Sequence, residues 1–167
     1  AFTLQAKVFA NTIDSYTNFV AQGANGNNFF IGPTDQGMFR IGQWHPDVVF
    51  PSNQWADISY VQTEERSYLF LNNQLVASTN EEECNCTINF PDESADFKIG
   101  KQWGNDIEDW NGFIDYIKIS PYPLFSSTDE IADYEFNNDD FIAVYKFNQG
   151  PDGAHSQILI DHSGNQN

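Results

Sequence analysis

Short apolar segments separated by turn residues recur along the chain, and this pattern limits its fold more than any other feature. The first segment, 2–9, carries apolar residues at alternate positions, which are Phe2, Leu4, Ala6 and Val8. Alternation with a period of two is typical of a strand with one buried face. Further segments predict strands at 29–32, 38–42, 55–61, 67–71, 74–78, 97–100, 113–120, 141–147 and 157–160.

Turn signals are frequent and helix signals are nearly absent. Asn72-Asn73 separates two apolar segments and predicts a hairpin, because asparagine tolerates the positive φ angles of a tight turn. Ser126–Ile131 is typical of a helix N-cap followed by one acidic turn, so we expect at most one short helix, near 126–133. Many short strands joined by turns indicate an all-β chain, a sandwich of two antiparallel sheets.

The charge of the chain excludes several classes of partner. Its 167 residues include 7 Lys+Arg and 24 Asp+Glu, for a formal net charge of −17. Such a negative chain cannot present the basic surface that nucleic acid or anionic lipid requires. No apolar run approaches the roughly 20 residues that span a bilayer, so we expect no membrane insertion. The chain begins at Ala1 without methionine, which is typical of a processed mature chain or an excised fragment.

Several segments together resemble the laminin-G-like jelly rolls. Gln54–Val61 followed by Tyr68–Ser78 is similar to the family's W-x-H-V-A and L-Y-V-N-G-x-L-V-A stretch. Asn111–Ile119 is similar to its N-G-x-I-D-x-V-R-I strand, and Leu124–Ile131 to the L-S-x-x-E-I segment that follows. The resemblance implies a concanavalin-A-like jelly roll, which is a sandwich of two antiparallel sheets.

The end of the chain resembles the opening of the same family. Ala143–Asn148 and Asp161–Asn167 are similar to its A-Y-W-x-F-x-E-G and D-x-S-G-N-G-N segments. One explanation is a circularly permuted single domain, 1–167, in which 139–167 completes the sheet. The other is a second tandem domain that begins near Asp139. We favour permutation, because without this segment a sheet edge would be left unpaired.

The resemblance also implies a calcium site. Asp161, Ser163 and Asn165 match the family's D-x-S-G-N loop, and Asp115 in the N-G-F-I-D strand is a weaker candidate ligand. Calcium prefers hard oxygen ligands such as these. The alternative is an Asx-turn in which Asp161 accepts hydrogen bonds from its own loop.

Tryptophans in polar, loop-like sequence are candidates for glycan binding, since sugars stack on aromatic faces and hydrogen-bond to amides and carboxylates. The candidate ligand-binding residues are Trp44, Trp103, Trp110, Asn105 and Asp109. The alternative is that these indoles pack in the core. We expect Trp55 in the core, because the resemblance places it at the start of a core strand.

The two cysteines, Cys84 and Cys86, have the spacing of two side chains on one face of a strand. They are candidates for two surface thiols, one local disulfide or a cross-link to another chain. Asn85 begins an Asn-Cys-Thr glycosylation sequon, which matters in a secreted eukaryotic chain.

Catalytic signals are weak. The same sandwich supports glycoside hydrolases, whose E-x-D-x-E signature is most nearly approached by Glu130, Asp133 and Glu135. The Glu–Asp spacing is off by one, which would place one strand side chain on the wrong face. We therefore expect no enzyme, although a glycoside hydrolase is not excluded.

These observations favour a non-catalytic extracellular or cell-surface module for recognition or adhesion. It would be stabilised by calcium and bind carbohydrate or a neighbouring extracellular protein through loops at one rim. The alternative is a structural subunit of an extracellular fibre or surface assembly, in which sheet edges and cysteines join identical or different chains.

Overall fold

The computed structural model describes residues 1–22, 29–84, 96–101 and 108–147. Within these ranges it contains ten strands, two α-helices and one 3-10 helix, Asn138–Asp140. The all-β prediction is confirmed. The strands are β1 (Phe2–Ala10), β2 (Val20–Gln22), β3 (Phe29–Pro33), β4 (Phe39–Ile41), β5 (Trp55–Gln62), β6 (Ser67–Leu71), β7 (Gln74–Thr79), β8 (Phe97–Ile99), β9 (Gly112–Ser120) and β10 (Ala143–Lys146), and the α-helices are α1 (Glu81–Cys84) and α2 (Thr128–Asp133).

The strands form two sheets, as expected for a jelly-roll sandwich. One sheet has six strands in the order β10-β9-β1-β5-β6-β7, and the other has four in the order β4-β3-β2-β8. Alternation of apolar residues explains the strands of the larger sheet, because Leu4, Ala6, Ile58 and Tyr60 are fully buried. The predicted Asn72-Asn73 hairpin joins β6 to β7, and both residues adopt positive φ angles.

The described residues divide into two compact units. The first contains Ala1–Val8, Ala56–Ser78 and the described part of the chain from Ile114 onward. In this unit β10 pairs with β9 in antiparallel register, with Ala143 opposite Ile119 and Lys146 opposite Tyr116. The predicted segments 141–147 and 113–120 are thus neighbours in the sheet. The strand predicted at 157–160 lies outside the described residues.

Helix α2 forms where the sequence predicts a helix. The hydroxyl of Ser127, its N-cap residue, accepts a hydrogen bond from the backbone N–H of Glu130 at 3.2 Å. The helix buries Ile131 in an apolar cluster with Phe70 and Phe125, whose rings meet edge to face at 5.0 Å. The cluster fixes this helix in the first unit.

The expectation of at most one short helix is wrong, because α1 is a second. Asn80 caps it: its side-chain oxygen accepts a hydrogen bond from the backbone N–H of Glu83 at 2.8 Å, and the Glu83 carboxylate accepts one from Asn80 at 3.3 Å. This reciprocal cap compensates for the absence of any buried residue in the helix.

The second unit contains Phe9–Trp55 and Thr79–Phe113, and the four-stranded sheet lies within it. Its core is aromatic: Phe39 and Phe50 have ring centroids 4.5 Å apart, and Phe19 packs 6.4 Å from Phe50. Strand β2 was not predicted, because its three buried residues are too few to show alternation.

None of the helices in the described ranges is long and apolar enough to cross a membrane.

Candidate functional site

Neither of the two described tryptophans that are predicted to bind glycans, Trp44 and Trp110, is exposed. Trp44 is only 5% exposed, so its indole cannot stack on a ligand, and that prediction is corrected. Trp110 is half-buried and meets Phe19 edge-on at 5.7 Å, which makes it part of the aromatic core. Asp109 is exposed, while Trp103 and Asn105 lie outside the described residues.

Trp55, expected in the core, is instead 46% exposed. Ala56 and Ile58, which lie one and three residues after Trp55, are buried. The alternation of β5 therefore places Trp55 on the opposite face of the strand. Its indole meets the ring of Phe9 on β1 edge to face, with centroids 5.7 Å apart and an interplanar angle of 68°. The predicted core residue is therefore a surface residue.

Phe113, at the start of β9, adds a third ring. It is 61% exposed and lies 6.0 Å from the ring of Phe9 at an interplanar angle of 65°. We call these three residues, Phe9, Trp55 and Phe113, the aromatic surface. The two exposed rings are both inclined to the central Phe9 ring, so the aromatic surface is not flat.

Asparagine amides border the aromatic surface. The Nδ2 of Asn11, two residues after Phe9, donates to the Oδ1 of Asn111 at 3.0 Å. The backbone N–H of Asn11 also donates to the backbone carbonyl of Asn111 at 2.9 Å. These bonds fix the two amides beside Phe9 and Phe113, and each amide keeps donor or acceptor capacity for a ligand.

A cavity of about 340 Å³ opens elsewhere in the second unit. Its lining comes from Tyr16, from the turn 34–38 between β3 and β4, and from the loop 45–47. Both backbone segments are held by hydrogen bonds: the backbone N–H of Thr34 donates to the carbonyl of Met38 at 2.8 Å, and that of Phe39 donates to the carbonyl of Val48 at 2.9 Å. The cavity is therefore formed without a ligand.

Tyr16 is fixed from behind by Arg40. The guanidinium carbon of Arg40 lies 4.6 Å from the centroid of the Tyr16 ring and 4.4 Å from that of Phe30. The same guanidinium donates to the Glu108 carboxylate and to the Oδ1 of Asn18, the latter at 3.3 Å. Arg40 does not line the cavity, and its charge is paired with Glu108.

His45 also lines the cavity. Burial, and to a lesser extent the nearby charge of Arg40, lowers the pKa of His45 below its ordinary value of 6.5. The imidazole is consequently neutral at pH 7, with one nitrogen that donates and one that accepts hydrogen bonds. Asp35 and Asp47, which also line the cavity, carry its negative charge.

The predicted calcium ligands are mostly outside the described residues, where Asp161, Ser163 and Asn165 fall. Asp115 is described, and its carboxylate lies 3.8 Å from the ammonium of Lys7. In the described ranges no three His, Cys, Asp or Glu side chains come close enough together to hold a metal. The calcium site remains a prediction.

Cys84, the last residue of α1, is disulfide-bonded. The other cysteine, Cys86, and the predicted glycosylation site Asn85 lie outside the described residues.

The Glu130 side chain stabilises the N-terminus of α2. Its carboxylate accepts hydrogen bonds from the backbone N–H and the hydroxyl of Ser126, and these bonds lower the pKa of Glu130. A general acid of a glycoside hydrolase needs the opposite shift, a raised pKa. Asp133 is on the same helix and not on a strand, so this segment does not reproduce the paired carboxylates of that family.

No protein-family model and no curated protein matches this chain. Among solved structures, one similar chain is a protein from Bacteroides ovatus ATCC 8483 whose carbohydrate binding is a provisional assignment. It is 16% identical over 98% of this chain and 50% of its own, with a TM-score of 0.66. The chain thus spans half the length of this neighbour.

Two further structures are similar over most of this chain. Domain 4 of the extracellular GH43 arabinanase AbnA from Geobacillus stearothermophilus, in complex with arabinotriose, is 20% identical over 79% of this chain and 65% of its own, with a TM-score of 0.54. The heptameric SAP-like pentraxin from Limulus polyphemus is 10% identical over 78% and 67%, with a TM-score of 0.54. Identities this low establish the fold alone, and that fold agrees with the predicted concanavalin-A-like jelly roll.

Proposed function

We propose that this protein is a non-catalytic carbohydrate-binding module that holds glycans on the aromatic surface. The observation that carries the proposal is the row of Trp55, Phe9 and Phe113, in which two large rings are 46% and 61% exposed on either side of a third. Exposed aromatic side chains that cluster on a folded protein mark binding surfaces.

The chemistry of the aromatic surface suits a sugar. A pyranose or furanose ring presents C–H groups on one face, which pack on aromatic rings, and hydroxyls at its edge. The Asn11 and Asn111 amides beside the rings can exchange hydrogen bonds with those hydroxyls. The edge-to-face contacts of Phe9, each worth about 0.5–1.5 kcal/mol, hold the rings in place before a ligand arrives.

The inclination of the rings favours a flexible glycan chain over a crystalline polysaccharide. A crystalline face is flat and requires coplanar rings, whereas the Phe9 ring is tilted by 68° to Trp55 and by 65° to Phe113, so the three rings share no common plane. The two neighbours concerned with carbohydrate, from Bacteroides ovatus and Geobacillus stearothermophilus, support carbohydrate as the ligand class. The capping role of Glu130 supports a non-catalytic module.

We also propose an extracellular location and stabilisation by calcium through Asp161, Ser163 and Asn165. The resemblance of 161–167 to the laminin-G-like loop supports both statements. Bound cations would relieve repulsion in a chain with a net charge of −17.

A glycan array, followed by titration calorimetry with soluble arabinan, xylan and mixed-linkage glucan, tests the glycan proposal. We expect Trp55→Ala and Phe113→Ala each to weaken binding about tenfold or more, which is the loss of roughly one stacking contact. Tyr122→Ala removes an aromatic side chain that is 64% exposed in the first unit and serves as the control. Absence of binding with calcium and with chelator, or equal losses in all three variants, would contradict the proposal.

Edge strand β7 favours a second candidate, assembly with another chain. Among the described residues it ends the six-stranded sheet, and Leu75 and Val76 on it are 37% and 38% exposed. An exposed strand edge can pair with a strand of a neighbour. Light scattering tests this candidate: a wild-type oligomer that a Val76→Lys variant converts to monomer would support it, and a monomeric wild type would exclude it.

A further inference from the structure

The cavity bordered by Tyr16 has the size of a site for one small molecule. Its volume of about 340 Å³ is at the low end of the roughly 300–1,000 Å³ that such sites occupy. It shares no lining residue with the aromatic surface. A ligand bound there would therefore be recognised independently of a glycan on Phe9, Trp55 and Phe113.

One wall of the cavity is the aromatic ring of Tyr16. Tyr16 is 39% exposed, and the Arg40 guanidinium covers one face of its ring at 4.6 Å. A ligand can therefore stack only on the other face. The positive charge of Arg40 on one face of the ring reduces the negative potential on the opposite face, which would otherwise attract a second cation. Packing against neutral C–H groups depends on that potential less than the binding of a cation does, because dispersion supplies much of it, so the wall suits a sugar ring better than an ammonium group.

The rest of the lining supplies hydrogen bonds for hydroxyl groups. The carboxylates of Asp35 and Asp47 accept hydrogen bonds, and each can accept two from neighbouring hydroxyls. The Gln36 amide and the neutral His45 imidazole both donate and accept. Acceptors outnumber donors in this lining, which suits a ligand rich in O–H groups.

The negative charge of the lining disfavours acidic sugars. Neither lysine nor arginine lines the cavity among the described residues, while Asp35 and Asp47 do. A carboxylate on the ligand would be repelled by both side chains, and the net charge of −17 adds to this repulsion. Uronic and sialic acids are thus disfavoured.

We infer that the cavity binds a single monosaccharide unit without an acidic group, stacked on the free face of Tyr16 and hydrogen-bonded to Asp35 and Asp47. This inference deepens the proposed carbohydrate binding and rests on it. The chain would then hold glycans at two places, the aromatic surface and the cavity, with different preferences: the first for a chain and the second for one uncharged unit.

Saturation-transfer NMR and titration calorimetry with methyl glycosides of arabinose, galactose, glucose and mannose test the inference, with glucuronic acid and N-acetylneuraminic acid as acidic probes. We expect at least one neutral glycoside to bind and the acidic sugars to bind about tenfold more weakly or not at all. Tyr16→Ala should weaken the neutral glycoside about tenfold, whereas Tyr16→Phe should stay within about twofold, because it keeps the ring.

Asp47→Asn provides a second variant at an exposed position, where folding is not at risk. It should weaken the neutral glycoside and reduce the discrimination against glucuronic acid. Tyr122→Ala, which removes an exposed ring in the first unit, is the matched control and should keep the binding of the neutral glycoside. Equal binding of acidic and neutral sugars, or no response to Tyr16→Ala and Asp47→Asn, would overturn the inference.

The two proposals fail in different ways. Polysaccharide binding that depends on Trp55, without any monosaccharide binding, would overturn the cavity inference and leave the proposed function standing. Failure of every polysaccharide and monosaccharide to bind would overturn both.

Discussion

A Cβ atom placed on Gly112 would lie 1.9 Å from the backbone carbonyl oxygen of Phe9. No contact that short is tolerated, and the atom it meets is backbone, which cannot swing away as a side chain can. The glycine is therefore required for the close approach of the start of β9 to the end of β1. That approach sets Phe113 beside Phe9, so Gly112 shapes the aromatic surface without contributing a side chain to it.

Gly112→Ala should lower the free energy of unfolding by about 3 kcal/mol, the upper end of the usual cost of overpacking. The control is Gly100→Ala, where φ is +78° but nothing lies within 4 Å of the new Cβ, so that only the backbone conformation costs energy, about 1–2 kcal/mol. Urea denaturation measures both losses. If Gly112→Ala lowers the free energy of unfolding no more than Gly100→Ala does, then β1 and β9 can move apart enough to accommodate the new Cβ atom.

The Asn11–Asn111 pair should contribute to glycan affinity as a unit. Either Asn11→Ala or Asn111→Ala removes one amide and releases the other from its 3.0 Å hydrogen bond, so each should weaken glycan binding about three- to tenfold. The double variant should lose less than the product of the two single losses, because the second change removes an amide that is already misplaced. Calorimetry on the four proteins measures the coupling. Losses of affinity that multiply strictly would mean that the two amides act separately. The control is Gln74→Ala, which removes an exposed amide in the first unit and should leave glycan affinity unchanged.

Most strands could be predicted because their apolar residues form short segments bounded by turn residues. The alternation of 2–9 becomes β1, the apolar segment 67–71 is β6 at the same bounds, and the turn chemistry of Asn72-Asn73 gives the hairpin that follows. Helix α2 was predictable from its cap. Helix α1 was not, since its glutamates show no apolar periodicity and its stability depends on the reciprocal cap with Asn80.

The aromatic surface could have been predicted from the same alternation. Phe2, Leu4, Ala6 and Val8 share a face of β1, so Phe9 belongs to the other face, and the alternation of β5 assigns Trp55 in the same way. The family resemblance predicted Trp55 to be a core residue, and the polar sequence around Trp44 predicted a loop residue there. The burial of both is the reverse.

The cavity, by contrast, depends on tertiary structure. Tyr16, the turn 34–38 and the loop 45–47 come together because β3 pairs with β4 and because Arg40 attracts both Tyr16 and Glu108. No local sequence pattern states that an arginine near position 40 will pair with a glutamate 68 positions later.

Alkaline pH should destabilise the protein through buried tyrosines. Burial raises the pKa of Tyr60 above its ordinary value of 10.0, so the folded state keeps this proton when the unfolded chain has lost it. The stabilisation is complete below pH 10 and is lost as the pH rises above 10 towards the folded-state pKa, by up to about 1.4 kcal/mol per pH unit. The pKa of Tyr116 is raised in the same direction, mainly by burial and also by Asp57.

Tyr60→Phe isolates this contribution. At pH 8 it should cost about 1 kcal/mol, because the buried Ser67 hydroxyl loses its 2.9 Å partner. Between pH 10 and 11.5 its stability should decline less steeply than that of the wild type. The remaining decline is assigned to Tyr116 and to Tyr134, whose pKa is raised by burial and by Asp140. Urea denaturation at pH 8, 10 and 11.5 measures both effects. A decline as steep as that of the wild type would refute the role of Tyr60, and Tyr122→Phe, at an exposed ring, should match the wild type throughout.

Arg40 should act on both the stability of the second unit and the titration of His45. Arg40→Met leaves the Glu108 carboxylate and the buried Asn18 amide without the guanidinium. Because Glu108 is partly exposed, the free energy of unfolding should fall by about 2 kcal/mol, less than the 3–5 kcal/mol lost when a fully buried pair is broken. Arg40→Lys keeps the charge but not the planar group that lies between the rings of Tyr16 and Phe30, so its stability should be intermediate.

The same variants separate the two causes of the lowered pKa of His45. Burial is the larger cause and the Arg40 charge the smaller, so Arg40→Met should raise the pKa of His45 but leave it below 6.5, whereas Arg40→Lys should change it little. NMR titration of the imidazole protons measures these values. A pKa that reaches 6.5 in Arg40→Met would show that charge, and not burial, controls His45.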